Sequence, residues 1–184
     1  FQSPGVDIAL IRALRLRRDV TRSHIGFMGC HGALNGLRTA QALASLQPAS
    51  TVLLCAVELC SLHYQYGGQR ERIVANALFA DGAAALVGTS RQEVGQADWF
   101  LEDSVSAVIA ETETLMHWRV GDHGFEMLLS PRVPDILRHL LRPWLGQWLA
   151  RRGLTISEIG SWAIHPGGPR ILDACADAAG LADA

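Results

Sequence analysis

The chain has 184 residues, 49% of them hydrophobic, and a formal net charge of -2 at neutral pH. This length and apolar content suffice for a sizeable core in one domain, and the charge gives no reason to expect a nucleic-acid partner. No apolar run approaches the ~18 residues of a membrane span, and the first residues lack the basic and apolar regions of a secretory leader. We therefore expect a cytoplasmic protein without a membrane span.

Hydrophobic periodicity predicts that helices and buried strands alternate along the chain. In chain order, we predict a helix at Val6–Leu16, a strand at Ser23–Gly29, a helix at Gly32–Leu46, a strand at Thr51–Leu59, a helix at Arg70–Leu78, strands at Gly82–Gly88, Ala107–Glu113 and Gly124–Leu129 with a turn at Gly121–His123, a helix at Pro134–Arg152, a strand at Ser161–Ile164 and a helix at Pro169–Ala179. This alternation is typical of an α/β fold in which helices cover both faces of a sheet.

The chain has four cysteines, at positions 30, 55, 60 and 175. They form no Cys-x-x-Cys pair and match no zinc-ligand spacing, so no metal site is predicted. A chain of this size does not need disulfides, and we interpret all four as reduced thiols. Cys55 and Cys175 lie within apolar or small-residue elements, which favours a packing role for both. Cys60 follows a predicted strand and could line a pocket.

Cys30 lies where a predicted buried strand meets a predicted helix. Gly29 and Gly32 flank it and permit a tight bend. Unpaired N–H groups and the helix dipole stabilise a thiolate at the first turn of a helix, so an acyl-transferring nucleophile fits this position. A small buried core cysteine fits the local pattern equally well.

His165 lies at the end of a second predicted strand and precedes Pro166-Gly167-Gly168-Pro169. The first proline ends the strand, and the last suits the first turn of a helix. A histidine in this position could hold an imidazolium–thiolate pair with Cys30 and donate a hydrogen bond to a thioester oxygen. Taken alone, the histidine is better explained as structural. The pairing of two strand-end turns, one with Cys and one with His, favours the catalytic interpretation.

Three segments together resemble chalcone and stilbene synthase-like enzymes, the type III polyketide synthases. They are Gly29-Cys30 with the small-residue helix that follows, Ala77–Ala85 (A-L-F-A-D-G-A-A-A), and Trp162–Asp173 (W-A-I-H-P-G-G-P-R-I-L-D). The segments occur in family order and at family-like separations, and the resemblance covers essentially the whole chain. The sequence around Cys30 is closer to the bacterial than to the plant style.

The resemblance implies a thiolase-like αβαβα layered fold, of which residues 1–184 form the central part, and a homodimer. It also implies the reaction. Members load an acyl group from a CoA thioester onto the cysteine, decarboxylate malonyl-CoA and condense the two into a polyketide, with no cofactor other than these CoA thioester substrates.

Roles for individual residues follow from the resemblance. Cys30 is expected to be the nucleophile and His165 its catalytic partner, while Phe79 and, on a weaker match, Phe125 would be gate residues between the CoA tunnel and the reaction cavity. Taken alone, Phe79 is better explained as core packing, and Asp81-Gly82 as a structural turn. The residues expected to form a loop close to the CoA arm are Gly167, Gly168 and Arg170.

Three expected cavity positions differ from the plant pattern. Cys60 and His63 stand where plant chalcone synthases usually carry threonine, and Met116 replaces a glycine. Larger side chains leave less room for the product. We therefore expect an alkylpyrone, an alkylresorcinol or a small polyhydroxylated aromatic rather than a chalcone.

Two family features fall outside the sequence. The resemblance implies a catalytic asparagine beyond Ala184 and basic residues for the CoA phosphates before Phe1. We interpret both ends as cut and expect a chain of these residues alone to be inactive and poorly folded, since loss of one oxyanion donor costs ~10²–10³ in rate.

Three other functions remain open at this point. A ketoacyl-ACP synthase III-type condensing enzyme shares the fold and the Cys/His pair, but a different loop usually follows its histidine. A non-catalytic thiolase-fold subunit would not need both Cys30 and His165. A cysteine hydrolase would need access for water, which an apolar gate at Phe79 opposes.

Overall fold

A computed structural model of the chain describes residues 5–46, 49–90, 99–122 and 124–181. The helices are α1 (Val6–Ala13), α2 (Gly32–Leu46), α3 (Arg70–Leu78), α4 (Val133–Ala150) and α5 (Pro169–Ala179), and the strands are β1 (Thr51–Glu58), β2 (Gly82–Thr89), β3 (Met116–Gly121) and β4 (Gly124–Leu129). Short 3-10 turns occur at Gly29–His31, Cys60–His63 and Ile156–Glu158. None of these helices combines the length and hydropathy needed to cross a membrane.

The chain divides into two compact units. The first consists of Phe1–Ala56 and Ala85–Asp98, and the second of Val57–Ala84 and Trp99–Ala184. Cys30 therefore belongs to the first unit and His165 to the second.

In the first unit, α2 packs closely on β1. A Cβ atom built on the buried Gly36 would lie 2.8 Å from Leu54 Cδ1, so glycine is what allows this close approach. β1 pairs with β2, and the Thr89 hydroxyl donates a hydrogen bond of 3.0 Å to the carbonyl oxygen of Ser50. These contacts support the helix that begins just after Cys30.

The second unit contains a helix pair and a hairpin. Helices α4 and α5 pack together through residues that are buried on both, namely Leu145, Leu149, Ala174, Cys175, Ala178 and Ala179. Burial raises the pKa of the Cys175 thiol, which suits a packing role. The antiparallel hairpin of β3 and β4 pairs Trp118 with Met127 and Arg119 with Glu126.

Most helices and strands lie where periodicity predicts them. The predicted bounds of α2, α3, β4 and α5 are the observed ones, and α1, β1, β2 and α4 differ only at their ends. The predicted turn at Gly121–His123 includes His123, which lies outside the described residues. The expectation that the predicted strand at 82–88 is buried was wrong, because most residues of β2 are exposed.

Three predicted strands were wrong. Residues 23–29, 107–113 and 161–164 have no strand structure. A strand requires a neighbour for its N–H and C=O groups, and the described residues form only the pairs β1–β2 and β3–β4. The first strand of the hairpin is β3 rather than 107–113, because a tight turn pairs the residues that directly flank it.

Candidate active site

Cys30 lies in the 3-10 turn Gly29–His31, which leads directly into α2, and its side chain is exposed. The preceding backbone makes an unusual bend. Gly29 has φ +53°, the left-handed region that favours glycine, and a Cβ atom there would meet nothing within 4 Å. Glycine is therefore favoured by the backbone conformation and not by a lack of space. The bend places Cys30 at the amino end of a 15-residue helix.

His165 is exposed and lies at the start of the loop that leads into α5. The Gly167 N–H donates a 2.9 Å hydrogen bond to the carbonyl oxygen of His165, which forms a tight turn. Gly168 has φ +129°, and a Cβ atom there would lie 3.5 Å from Leu78 Cδ2. The loop thus approaches the carboxyl end of α3, next to Phe79, while Arg170 lies exposed in the first turn of α5.

A cleft of about 690 Å³ opens within the second unit. Its walls come from residues 60–65, which we call the cleft turn, from α3 with the segment that follows it, and from both hairpin strands. Four of the residues expected to be gate or cavity residues line it: Cys60, His63, Phe79 and Phe125.

Met116, also expected to be a cavity residue, does not line this cleft. It begins β3 opposite Leu129, at the end of the hairpin farthest from the turn, and is 51% exposed. The cavity-lining residues of β3 are the next three along the strand, His117, Trp118 and Arg119.

Aromatic rings form one side of the cleft. The ring centroids of Phe79 and Trp118 are 5.9 Å apart, and those of Trp118 and Phe125 are 6.4 Å apart. His63 lies edge-on to Phe125 at 4.9 Å. Sequence reasoning missed Trp118. The tight turn between Gly121 and Gly124 could have revealed it, because it pairs position 118 with position 127, two residues after Phe125 on the same strand face.

One edge of the His63 ring lies against Gly124. Its Nδ1 atom is buried and has no hydrogen-bond partner among the residues that the structure describes. Gly124, with φ +110°, lies against it, and a Cβ atom there would come within 3.4 Å of Nδ1. A larger residue at position 124 would strain the backbone, while its Cβ atom would make ordinary van der Waals contact with the imidazole.

Charged residues lie beside the aromatic wall. Glu126 pairs with Arg119 across the hairpin, with 2.7 Å between Oε2 and Nη2, and its Oε1 lies 3.8 Å from Arg72 Nη2 on α3. This pairing links α3 to the hairpin on the polar side of the cleft.

Two hydrogen-bonded contacts hold the cleft turn. The Asp81 carboxylate accepts hydrogen bonds of 2.7 Å from both the Ser61 N–H and the Ser61 hydroxyl. Asn76 donates to the Gln65 carbonyl oxygen at 2.8 Å and accepts from the Gln65 N–H at 3.3 Å. The hydrogen bonds from Ser61, first its backbone N–H and then its hydroxyl, lower the pKa of Asp81 below its ordinary value of 3.8.

The described residues contain no group of three or more His, Cys, Asp or Glu side chains that could hold a metal ion. The cleft offers instead a mixture of aromatic surface, the Cys60 thiol, the imidazoles of His63 and His117, and a charged rim. Such a site suits an organic ligand with an apolar body and a few oxygens.

Comparison with known proteins adds a family match. Residues 1–91 match the family described as chalcone and stilbene synthases, N-terminal domain. Over 184 aligned residues the chain is 37% identical to 1,3,6,8-tetrahydroxynaphthalene synthase of Streptomyces peucetius subsp. caesius. The aligned region covers 98% of this chain and 48% of that relative. It is 35% identical to the alpha-pyrone synthesis polyketide synthase-like Pks18 of Mycobacterium tuberculosis, over 94% of this chain and 45% of the relative.

Solved structures of polyketide synthases are also similar to the chain. The chain resembles PKS-I from the brown alga Ectocarpus siliculosus with a TM-score of 0.93 at 31% identity, covering 100% of this chain and 49% of that one. It resembles the tetrahydroxynaphthalene synthase of Streptomyces coelicolor with a TM-score of 0.88 at 30% identity, covering 99% and 51%. The chain spans about half the length of the curated relatives it matches.

Proposed function

Because this chain belongs to the chalcone and stilbene synthase family of type III polyketide synthases, we propose that it acts as an acyltransferase that extends an acyl-CoA starter with malonyl-CoA. Its α/β fold is the thiolase-like fold of that family. The observation that carries the proposal is the exposed Cys30 at the amino end of α2, in a chain whose relatives are named polyketide synthases.

In the proposed reaction, the Cys30 thiolate attacks the thioester carbon of the starter, and CoA leaves as the thiolate, which takes up a proton from solvent. Malonyl-CoA then loses CO₂, and the electron pair left on its α-carbon attacks the acyl–Cys30 thioester. A carbon–carbon bond forms, the bond from the acyl carbon to sulfur breaks, and the thiolate is regenerated. No external oxidant, reductant or metal is needed, and we propose that the enzyme uses no cofactor besides its CoA thioester substrates.

The position of Cys30 supports a nucleophilic role. The amino end of α2 carries the positive end of the helix dipole, which favours an anionic sulfur. Its exposure leaves it open to a substrate, whereas Cys175 is buried between helices.

His165 is proposed to hold the thiolate as an ion pair and to donate a hydrogen bond to the thioester oxygen as negative charge develops. Its loop supports this role, because Gly168 lets the loop lie against Leu78, next to Phe79. We propose that the CoA arm passes along this loop, beside Gly167, Gly168 and Arg170.

The cleft is proposed to be the reaction cavity. Its volume of about 690 Å³ lies within the range of ~300–1,000 Å³ that small-molecule sites occupy. Phe79 and Phe125 would act as gate residues, and Cys60 and His63 would narrow the space in front of them. We therefore propose a small product such as an alkylpyrone, an alkylresorcinol or a polyhydroxylated aromatic. We also propose that the enzyme works as a homodimer in the cytoplasm.

Thiol labelling tests the proposed Cys30–His165 pair. In the protein expressed from its whole reading frame, iodoacetamide at neutral pH should label Cys30 faster than Cys55 or Cys175, as measured by peptide mass spectrometry. His165→Ala should slow labelling of Cys30 by about tenfold or more, because a thiol of ordinary pKa near 8.5 is only a few per cent thiolate at pH 7.

The matched control is His139→Ala, which removes an exposed histidine on α4 and should leave the labelling rate unchanged. Incubation with acyl-CoAs and malonyl-CoA should yield polyketides by mass spectrometry, and Cys30→Ala should yield none. Equal labelling in both histidine variants would refute the pair, and a wild-type protein that consumes no malonyl-CoA would refute the proposed function.

A further inference from the structure

The cleft turn carries Cys60 and His63, yet it contains only a single short 3-10 turn. So short a segment has little stability of its own. Hydrogen bonds from neighbouring elements therefore decide where its side chains lie. Hydrogen bonds at Ser61 and at Gln65 hold the cleft turn on either side of His63.

The contact at Ser61 comes from the segment that follows α3. Asp81 lies two residues after Phe79, and Ser61 lies one residue after Cys60. The two hydrogen bonds at 2.7 Å therefore tie the wall with the thiol and the imidazole to the wall with the expected gate phenylalanine. Ser61 and Asp81 are 20 residues apart, so the contact is tertiary.

The contact at Gln65 comes from α3 itself. The Asn76 side chain forms hydrogen bonds with both the N–H and the carbonyl oxygen of Gln65, as the backbone of a neighbouring strand would in a sheet. The Gln65 side chain in turn donates to the Phe125 carbonyl oxygen at 3.4 Å. The far end of the cleft turn is thereby linked to α3 and to β4.

We propose that Asp81 and Asn76 are positioning residues that set the depth of the reaction cavity and thereby the number of malonyl units added before release. Neither side chain needs to touch the reacting atoms. They act through Cys60 and His63, whose placement against Phe79 and Phe125 defines the space that the growing chain can fill. This inference rests on the proposed function.

The Asp81→Ala variant tests it in the protein expressed from its whole reading frame. Loss of both hydrogen bonds to Ser61 frees one end of the cleft turn, so the ratio of longer to shorter products should change by about two- to tenfold, the range that one or two ordinary hydrogen bonds can supply. Products from one fatty acyl-CoA starter and malonyl-CoA would be quantified by mass spectrometry, together with total malonyl-CoA consumed.

Asp81→Asn is the conservative variant. Its amide oxygen can accept from the Ser61 N–H while its NH₂ group donates to the Ser61 oxygen, so it should restore most of the wild-type ratio. Asp122→Ala, an exposed aspartate at the hairpin turn, is the matched control and should not change the ratio. If Asp81→Ala does not fold, Asn76→Ala tests the other contact with the same measurement.

The proposal is supported if the product ratio changes in Asp81→Ala or Asn76→Ala and remains close to the wild-type value in Asp81→Asn. A fall in total turnover at an unchanged ratio would show a merely structural role and overturn it. Failure of the wild-type protein to make any polyketide would count instead against the proposed function, so the two failures are distinguishable.

Discussion

Gly29 and Gly36 both lie near the amino end of α2, but their surroundings differ. Gly29 has a left-handed backbone and open space around it, whereas Gly36 lies within a helix, against Leu54. A side chain at position 29 would cost conformational energy of about 1 kcal/mol. A side chain at position 36 would instead meet a packed neighbour.

Substitutions of Gly36 should separate helix propensity from packing. In Gly36→Ala, the gain of about 1 kcal/mol in helix propensity opposes the displacement of Leu54 Cδ1, which is the movable end of a side chain. The free energy of unfolding should therefore change by less than about 1 kcal/mol. Gly36→Leu should lower it by about 1–3 kcal/mol through overpacking.

Urea unfolding of the protein from its whole reading frame, followed by tryptophan fluorescence, measures both values. Equal stability of the two variants would contradict the close packing of α2 on β1.

At the scale of elements, the hairpin and the helix pair are specified by short-range patterns. The turn between Gly121 and Gly124 sets the register of β3 and β4, and this register places Trp118 and Phe125 at 6.4 Å. Helices α4 and α5 meet through small residues on α5, and Ala174 there is 0% exposed. The exposed Arg138 adds ion pairs with Asp135 and Asp177 at the edge of the same interface.

Packing rather than ion pairing should account for the stability of the α4–α5 pair. Ala174→Leu places a larger side chain in a filled space and should lower the free energy of unfolding by about 1–3 kcal/mol. Arg138→Ala should cost less than about 1 kcal/mol, because exposed ion pairs are screened and contribute little. Thermal unfolding by circular dichroism would rank the two. A larger loss in Arg138→Ala than in Ala174→Leu would contradict this ranking.

At the scale of the whole molecule, a large part of the apolar surface lies open. No large side chain in the described residues is fully buried, and Val108, Trp99 and Phe27 are 99%, 92% and 82% exposed. Monomeric proteins rarely leave so many large apolar side chains exposed. Two-stranded sheets are likewise marginal on their own. We therefore expect further apolar surface to cover the described residues.

A polypeptide of residues 1–184 alone should accordingly behave as a partly folded chain. It should bind the dye ANS strongly, unfold in urea without a sharp transition and consume no malonyl-CoA. The protein from its whole reading frame provides the comparison. Cooperative unfolding with little dye binding by residues 1–184 would show that the exposed surface is stable without a cover.

The sequence alone specified the bounds of four elements and the family. Helices α2, α3 and α5 and strand β4 have the predicted bounds because their periodicity, glycines and prolines act over a few residues. The segments around Cys30, Phe79 and His165 resemble those of chalcone and stilbene synthase-like enzymes, and this resemblance identified the family.

Only the tertiary structure decided which predicted strands find partners and which side chains share a cleft. Residues 107–113 and 161–164 are apolar enough for strands, but pairing depends on a neighbour that local pattern does not reveal. Asp81 acquires its place through a contact with Ser61, which lies 20 residues away in the sequence. Such contacts depend on how whole elements pack, which no short segment of sequence determines.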